Sequence, residues 1–85
     1  MKNNIEERRF ELEIEGHQTF ASYSRDSKKI FINHVEAAPE LRGKGAAAKL
    51  MKEIVDFAKK NDLEIIPICS YAVAWIKKNK LIENI

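Results

Sequence analysis

Between Arg9 and Glu15 the chain alternates: Phe10, Leu12 and Ile14 are apolar, while Arg9, Glu11, Glu13 and Glu15 are charged. A period of two predicts a β-strand with one face in a core and the other in solvent. Gly16-His17 predicts a turn, Gln18–Ser24, with Phe20 and Tyr23, a returning strand, and the polar stretch Arg25–Lys28 a second hairpin connection. Ile30–Ala37 reads as a third strand, which Pro39 ends. The first half of the chain is therefore expected to be an antiparallel meander.

After Pro39 the period changes. Ala47, Leu50, Met51, Ile54 and Ala58 fall on one helical stripe, with Lys49, Lys52, Glu53, Asp56 and Lys60 pointing elsewhere. Asn61 and Asp62 stop this helix. Glu64–Cys69 is a short strand whose unbroken Ile65, Ile66 and Ile68 pattern predicts burial on both faces and so a central place in the sheet. Ser70 is expected to cap a second helix, in which Ala72, Trp75 and Ile76 recur at helical spacing and Lys77, Lys78 and Lys80 suit the negative end of the dipole. A strand-helix-strand unit crosses over right-handed and sets its strands parallel. The predicted fold class is α+β: a mixed, mainly antiparallel sheet with a parallel strand pair and two packed helices.

Composition adds bounds. The 85 residues make one domain, 1–85, and 45% hydrophobic with 33% charged residues is ordinary globular content, expected to fold as a monomer or small homo-oligomer. One cysteine allows no internal disulfide, and Met1–Arg9 is polar, so a cytoplasmic, reducing location is expected. No apolar run is long enough for a bilayer. The net charge is only +2, yet Arg42–Lys60 holds six Lys and Arg against two Asp and Glu. A compact cationic patch on a near-neutral chain fits a small phosphate-bearing ligand better than nucleic acid.

That patch surrounds Arg42-Gly43-Lys44-Gly45-Ala46-Ala47, at the mouth of the long predicted helix. The first amides of a helix lack internal partners and the dipole places about half a positive charge there. Gly43 and Gly45 allow a tight turn and close approach, Ala46 and Ala47 keep it open, and Arg42 and Lys44 add charge, which outlines a diphosphate cradle. The spacing lacks the second glycine and hydroxyl of a P-loop, and Ala48 stands where a dinucleotide fingerprint has its third glycine, after a meander rather than a βαβ start.

The same six residues resemble the Arg/Gln-x-x-Gly-x-Gly/Ala signature of the GNAT superfamily of N-acetyltransferases. "HVEAAPELRGKGAAAKLM" followed by "IIPICSYAVAWIKKN" is similar to its short, stand-alone branch, with a His-x-Glu strand before the loop and a Pro-x-Cys strand after the helix. The resemblance spans about Gly16 to Asn79 and implies a minimal GNAT-like, acyl-CoA N-acyltransferase fold. It implies that Arg42, Gly43, Lys44, Gly45, Ala46 and Ala47 bind the diphosphate of acetyl-CoA, and that backbone at Glu36-Ala37 meets the pantetheine arm. It further implies a thioester near Cys69, between splayed strands. Lys77, Lys78 and Lys80 read first as a solvated helix end, and the secondary reading has Asn79 or Lys80 touching a coenzyme phosphate. Unlike the larger enzymes, the chain lacks N-terminal helices and C-terminal strands that build an acceptor pocket, and Ala37-Ala38 replaces the common valine and proline of the short branch.

Three residues are candidates for catalysis. Cys69, just before a helix N-terminus, is in a setting that favours thiolate, as nucleophile or proton-transfer group; a small apolar filler is the competing reading. His34 and Glu36, two apart on one strand and in line with Ile30 and Ile32, are each a candidate base for an attacking amine, or else a hydrogen-bonded pair without catalytic role. His17, His34 and Cys69 show no metal-ligand spacing, and Trp75 reads as core rather than a stacking platform. The expected function is acetyl-CoA-dependent N-acetyltransfer to an amine of undefined identity. A non-catalytic coenzyme A-binding or protein-interaction module is the alternative, and an RNA-binding domain is disfavoured by the charge.

Overall fold

The computed structural model describes residues 1–79. Five strands form one sheet in sequential order: β1 (Lys2–Asn4), β2 (Arg9–Ile14), β3 (His17–Arg25), β4 (Lys29–Ala37) and β5 (Glu64–Pro67). Neighbours β1 to β4 are antiparallel, and β5 joins β4 in parallel after the crossover helix α1 (Ala46–Lys60). Helix α2 (Ser70–Lys78) follows. The fold is thus the expected α+β arrangement; Lys80, expected near the end of the second helix, lies outside the described residues.

Both helices lie on one face of the sheet. Leu50, Met51, Ile54 and Ala58 of α1 and Ala72 and Ile76 of α2 close over Phe10, Ala21, Tyr23, Ile30 and Ile32. Phe10 stacks on Tyr23 at 4.5 Å and meets the edge of Phe57 at 5.3 Å. Each large side chain fully removed from water stabilises the fold by roughly 1.5–3 kcal/mol before entropy is counted, so this stripe, rather than helix propensity, holds α1 in place. No helix among the described residues is long and apolar enough to cross a membrane.

Four local features differ from the sequence expectation. Strand β1 has only polar residues and no alternation to reveal it; it is held by pairing, by the Tyr23 hydroxyl donating to Asn3 Oδ1 at 2.6 Å, and by Asn4 Nδ2 donating to Glu11 at 3.2 Å. The first hairpin turns on Glu15 and Gly16, with φ of 52° and 78°, so His17 already belongs to β3; two left-handed residues match the strands' twist.

Among the described residues β5 is an edge strand, not a central one. Its even-numbered amides face β4, as Glu64 N–H to Lys28 O and Ile68 N–H to Ile32 O show. Pro67 therefore faces outward, where its missing N–H breaks no ladder and blunts the edge. Ile68, expected to be buried, is 57% exposed. Finally, Cys69 rather than Ser70 occupies the N-cap of α2.

Candidate functional site

The mouth of α1 is built by two left-handed glycines. A single 3-10 turn, Pro39–Leu41, anchors the loop through buried Leu41. Gly43 and Gly45 then have φ of 80° and 68°, values that side chains with a Cβ rarely adopt. A Cβ built at either would meet nothing within 4 Å. The glycines are needed for backbone conformation, and the space above them is open.

Gly45 is the N-cap of α1, so no side chain caps the helix, and its first turn holds no acidic residue. The Gly45 carbonyl accepts Lys49 N–H at 3.0 Å, while the first-turn amides face the open loop side with the positive dipole end behind them. Arg42 is exposed and makes no ion pair among the described residues. Lys44 Nζ donates to Glu15 Oε1 at 2.8 Å, a bond that holds the Glu15 carboxyl below its usual range. The β2–β3 turn therefore leans on this loop, helped by His17 Nδ1 at 3.6 Å from Glu40.

Beside the mouth, β4 outruns β5. Pairing ends at Ile32↔Pro67, where Ile32 O accepts both Ile68 N–H at 2.9 Å and Cys69 N–H at 3.1 Å. Beyond that point β4 continues alone to Ala37. Ala38 N–H bonds Gln18 O, and bonded pairs alternate along an antiparallel ladder. Glu36 and His34 thus turn their backbone toward β3, and Glu36 O also accepts the Thr19 hydroxyl at 2.8 Å. Val35 and Ala37 present theirs to the gap. Of the expected pair Glu36-Ala37, Ala37 faces the gap; its companion is Val35, which counting two residues back along the strand identifies.

A β-bulge sets the side chains. Ser22 pairs with His34 but Tyr23 with Ile32, leaving Asn33 as the extra residue. The bulge reverses the phase of β4, so His34 and Glu36 do not lie in line with buried Ile30 and Ile32. They stand on the uncovered face, 56% and 61% exposed, with His34 Nε2 3.1 Å from Glu36 Oε1. The Phe20 ring lies beside His34 at 6.3 Å, and Arg9 covers Phe20 at 4.8 Å.

Cys69 is partly buried against the core, across the gap from Val35. Burial pushes its thiol pKa up, but the backbone N–H groups of Ala72, Val35 and Tyr71 are directed at the sulfur and leave it lowered. None of these is a full cap hydrogen bond; they act as amide dipoles favouring the charged form. Farther along the same surface, Ala48, Tyr71, Ala74, Trp75, Lys78 and Asn79 line a groove of about 400 Å³. It joins the first turn of α1 to the last of α2 and takes in Asn79. Trp75 is only half-buried, one side on the core and the other on this groove.

A parallel strand pair that splays beside a bare, glycine-turned helix mouth defines a minimal acyl-CoA N-acyltransferase fold. The family model of the GCN5-related N-acetyl-transferases matches residues 9–85, and the chain belongs to that family. Acyltransfer is the chemistry of this family, and its members generally use acyl-CoA donors. No curated protein matches the chain.

Proposed function

We propose that this protein is an N-acetyltransferase that takes its acetyl group from acetyl-CoA and delivers it to an amine, in the cytoplasm. The carrying observation is the uncapped mouth of α1, next to the unpaired edge of Val35 and Ala37. An anion with three or more oxygens satisfies amides that no side chain of the first turn can reach. The open space over Gly43 and Gly45 supports the approach of a diphosphate to the backbone.

In this reading Gly43, Gly45, Ala46 and Ala47 offer backbone, and Arg42 and Lys44 add charge around the diphosphate. Val35 and Ala37 align an amide-bearing arm as a neighbouring strand would. Lys78 and Asn79 border the groove for the nucleotide end. Acetyl-CoA supplies the activated acyl thioester; the protein supplies orientation, worth several orders of magnitude when reacting atoms are held in place.

His34 and Glu36 flank Val35, whose amide points at the Cys69 sulfur. Glu36 attracts the ammonium form of the acceptor and His34 takes the proton that must leave nitrogen before or during attack. The lowered pKa makes the Cys69 thiol easier to ionise, and as a thiolate it can take the acetyl group from the thioester, releasing coenzyme A thiolate, before passing it to the amine. Calorimetric titration with coenzyme A and acetyl-CoA tests the binding claim, and saturable one-to-one binding is expected. Labelled acetyl-CoA with an amine panel tests turnover; persistent binding without transfer, hydrolysis or self-acetylation defeats catalysis and leaves a coenzyme-binding module.

A further inference from the structure

A second cluster lies at the other end of β3. Asn3, Ile5, Arg8, Tyr23 and Arg25 line a pocket of about 260 Å³. Strand β3 meets the loop before α1 at Gln18 and reaches the pocket at Tyr23 and Arg25. At about 3.3 Å per residue this separates the pocket from the helix mouth by roughly 20 Å.

The polar lining of the pocket is rich in donors. Asn3 Oδ1 is engaged by the Tyr23 hydroxyl at 2.6 Å, which leaves the Asn3 amide nitrogen to donate. Arg8 and Arg25 contribute guanidinium forks, and neither makes an ion pair among the described residues. Among the described residues no acidic side chain lines the pocket. Such a set is complete only with an acceptor, and two cations make that acceptor an anion.

Arg8 is held in place at a cost in strain. Its φ is 53°, a conformation that glycine adopts freely and a long side chain does not. Arg8 O accepts Tyr23 N–H at 2.9 Å, and Arg8 N–H reaches Ile5 O at 3.3 Å. The turn thus fixes the backbone position of Arg8; the same left-handed φ recurs at Glu15 and Asp62, so it marks a turn and the pocket lining alone points to a ligand. Ile5, 73% exposed, supplies an apolar side to the pocket, while Tyr23, its ring stacked on Phe10 in the core, is 7% exposed. The volume is below the roughly 300–1,000 Å³ usual for drug-sized ligands, so the occupant is small.

We propose that this pocket binds a small oxyanion with a short apolar arm, a carboxylate or a phosphate ester, clasped between Arg8 and Arg25. The test is residue-resolved amide NMR on the full chain, titrated separately with isobutyrate and with inorganic phosphate at constant ionic strength, with chloride as control. At least one probe is expected to shift the Asn3, Arg8, Tyr23 and Arg25 amides saturably with a Kd at or below about 1 mM; which one does so identifies the oxyanion. Arg25→Gln is expected to weaken that binding at least about tenfold. Arg8→Gly, which relieves the strained turn, is expected to abolish it in a folded protein. The proposal is overturned if neither probe moves those amides, if chloride moves them equally, or if either variant binds like the parent. Shifts confined to Gly43–Ala47 place the phosphate at the helix mouth and overturn it too.

Discussion

The two helices begin with opposite solutions to one electrostatic problem. Each starts with unpartnered amides, no acidic residue in its first turn, and no side-chain cap bond, and each ends in two lysines. At α1 the N-cap is Gly45, left-handed and bare, over open space. At α2 it is Cys69 in extended conformation, with the sulfur facing the amides of Tyr71 and Ala72. One mouth is left bare, and the other is faced by a sulfur whose pKa the neighbouring amides lower. Both mouths flank the gap between β4 and β5, and in the proposed function this brings an anionic ligand and the Cys69 thiol to one surface.

The comparison breaks most severely if α1 loses the stripe that holds it. Ile54 is fully buried in the core, and Ile54→Ala is expected to cost about 2–5 kcal/mol of stability, read from denaturant unfolding. No change at either mouth is expected to cost as much, since the caps are incomplete already. A smaller loss would mean that the helix is held by its ends.

The next largest effect falls on the bare mouth. Gly45→Val forces a β-branched residue to a φ of 68°, which costs roughly 1–2 kcal/mol or more or moves the backbone. Coenzyme A binding is expected to weaken by two orders of magnitude or more in a protein that still folds, as measured by calorimetry and circular dichroism. Undiminished binding would remove the mouth from the site, whatever the family.

The occupied mouth responds more mildly. A hydroxyl caps amides and a methyl does not, so Cys69→Ser is expected to be more stable than Cys69→Ala by roughly 0.5–2 kcal/mol. Both variants should bind coenzyme A, and both should lose turnover if the thiol reacts. The thiol pKa is lowered in the fold, so the native protein sheds this proton at lower pH than the unfolded chain. The related stability is present above the ordinary thiol pKa and fades as pH falls through the lowered native value. Alkylation of Cys69 should accordingly reach its half-maximal rate below the pH found for a free thiol; a midpoint at or above it would restore the filler reading.

Much of this was legible in the residues. Alternation from Phe10 to Ile14 and the stripe from Leu50 to Ala58 locate the strand and α1 where expected, although Glu11, expected in solvent, is buried at 7% exposure against Arg9 and Asn4, and Leu12 and Ile14 are only partly buried. The glycine loop was legible because only a few backbone tasks need Gly43 and Gly45 so close together. What stayed hidden depends on pairing. The bulge at Asn33 shifts His34 and Glu36 to the other face, and no single-strand pattern announces an extra residue opposite Ser22 and Tyr23. Strand β1 exists through partners supplied by β2 and Tyr23, not through its own polarity. Pro67 did carry a signal for an edge strand, which the run of isoleucines around it masked.

The finest distinction between the two mouths is that the open one has a substitute anion nearby. Glu15 holds Lys44 at 2.8 Å, on a turn where Glu15 itself takes a φ of 52°. Both side chains are largely in solvent, so the pair adds little stability and salt screens it further. Glu15→Gln is therefore expected to leave the melting temperature almost unchanged. It frees Lys44 for a diphosphate and removes a negative charge from the loop's rim, so coenzyme A should bind a few-fold more tightly, with the gain shrinking as salt is raised. Weaker binding in Glu15→Gln would reverse the assignment and make Glu15 a strut that aims Lys44, which the same titration at two ionic strengths distinguishes because loss of a strut persists in high salt.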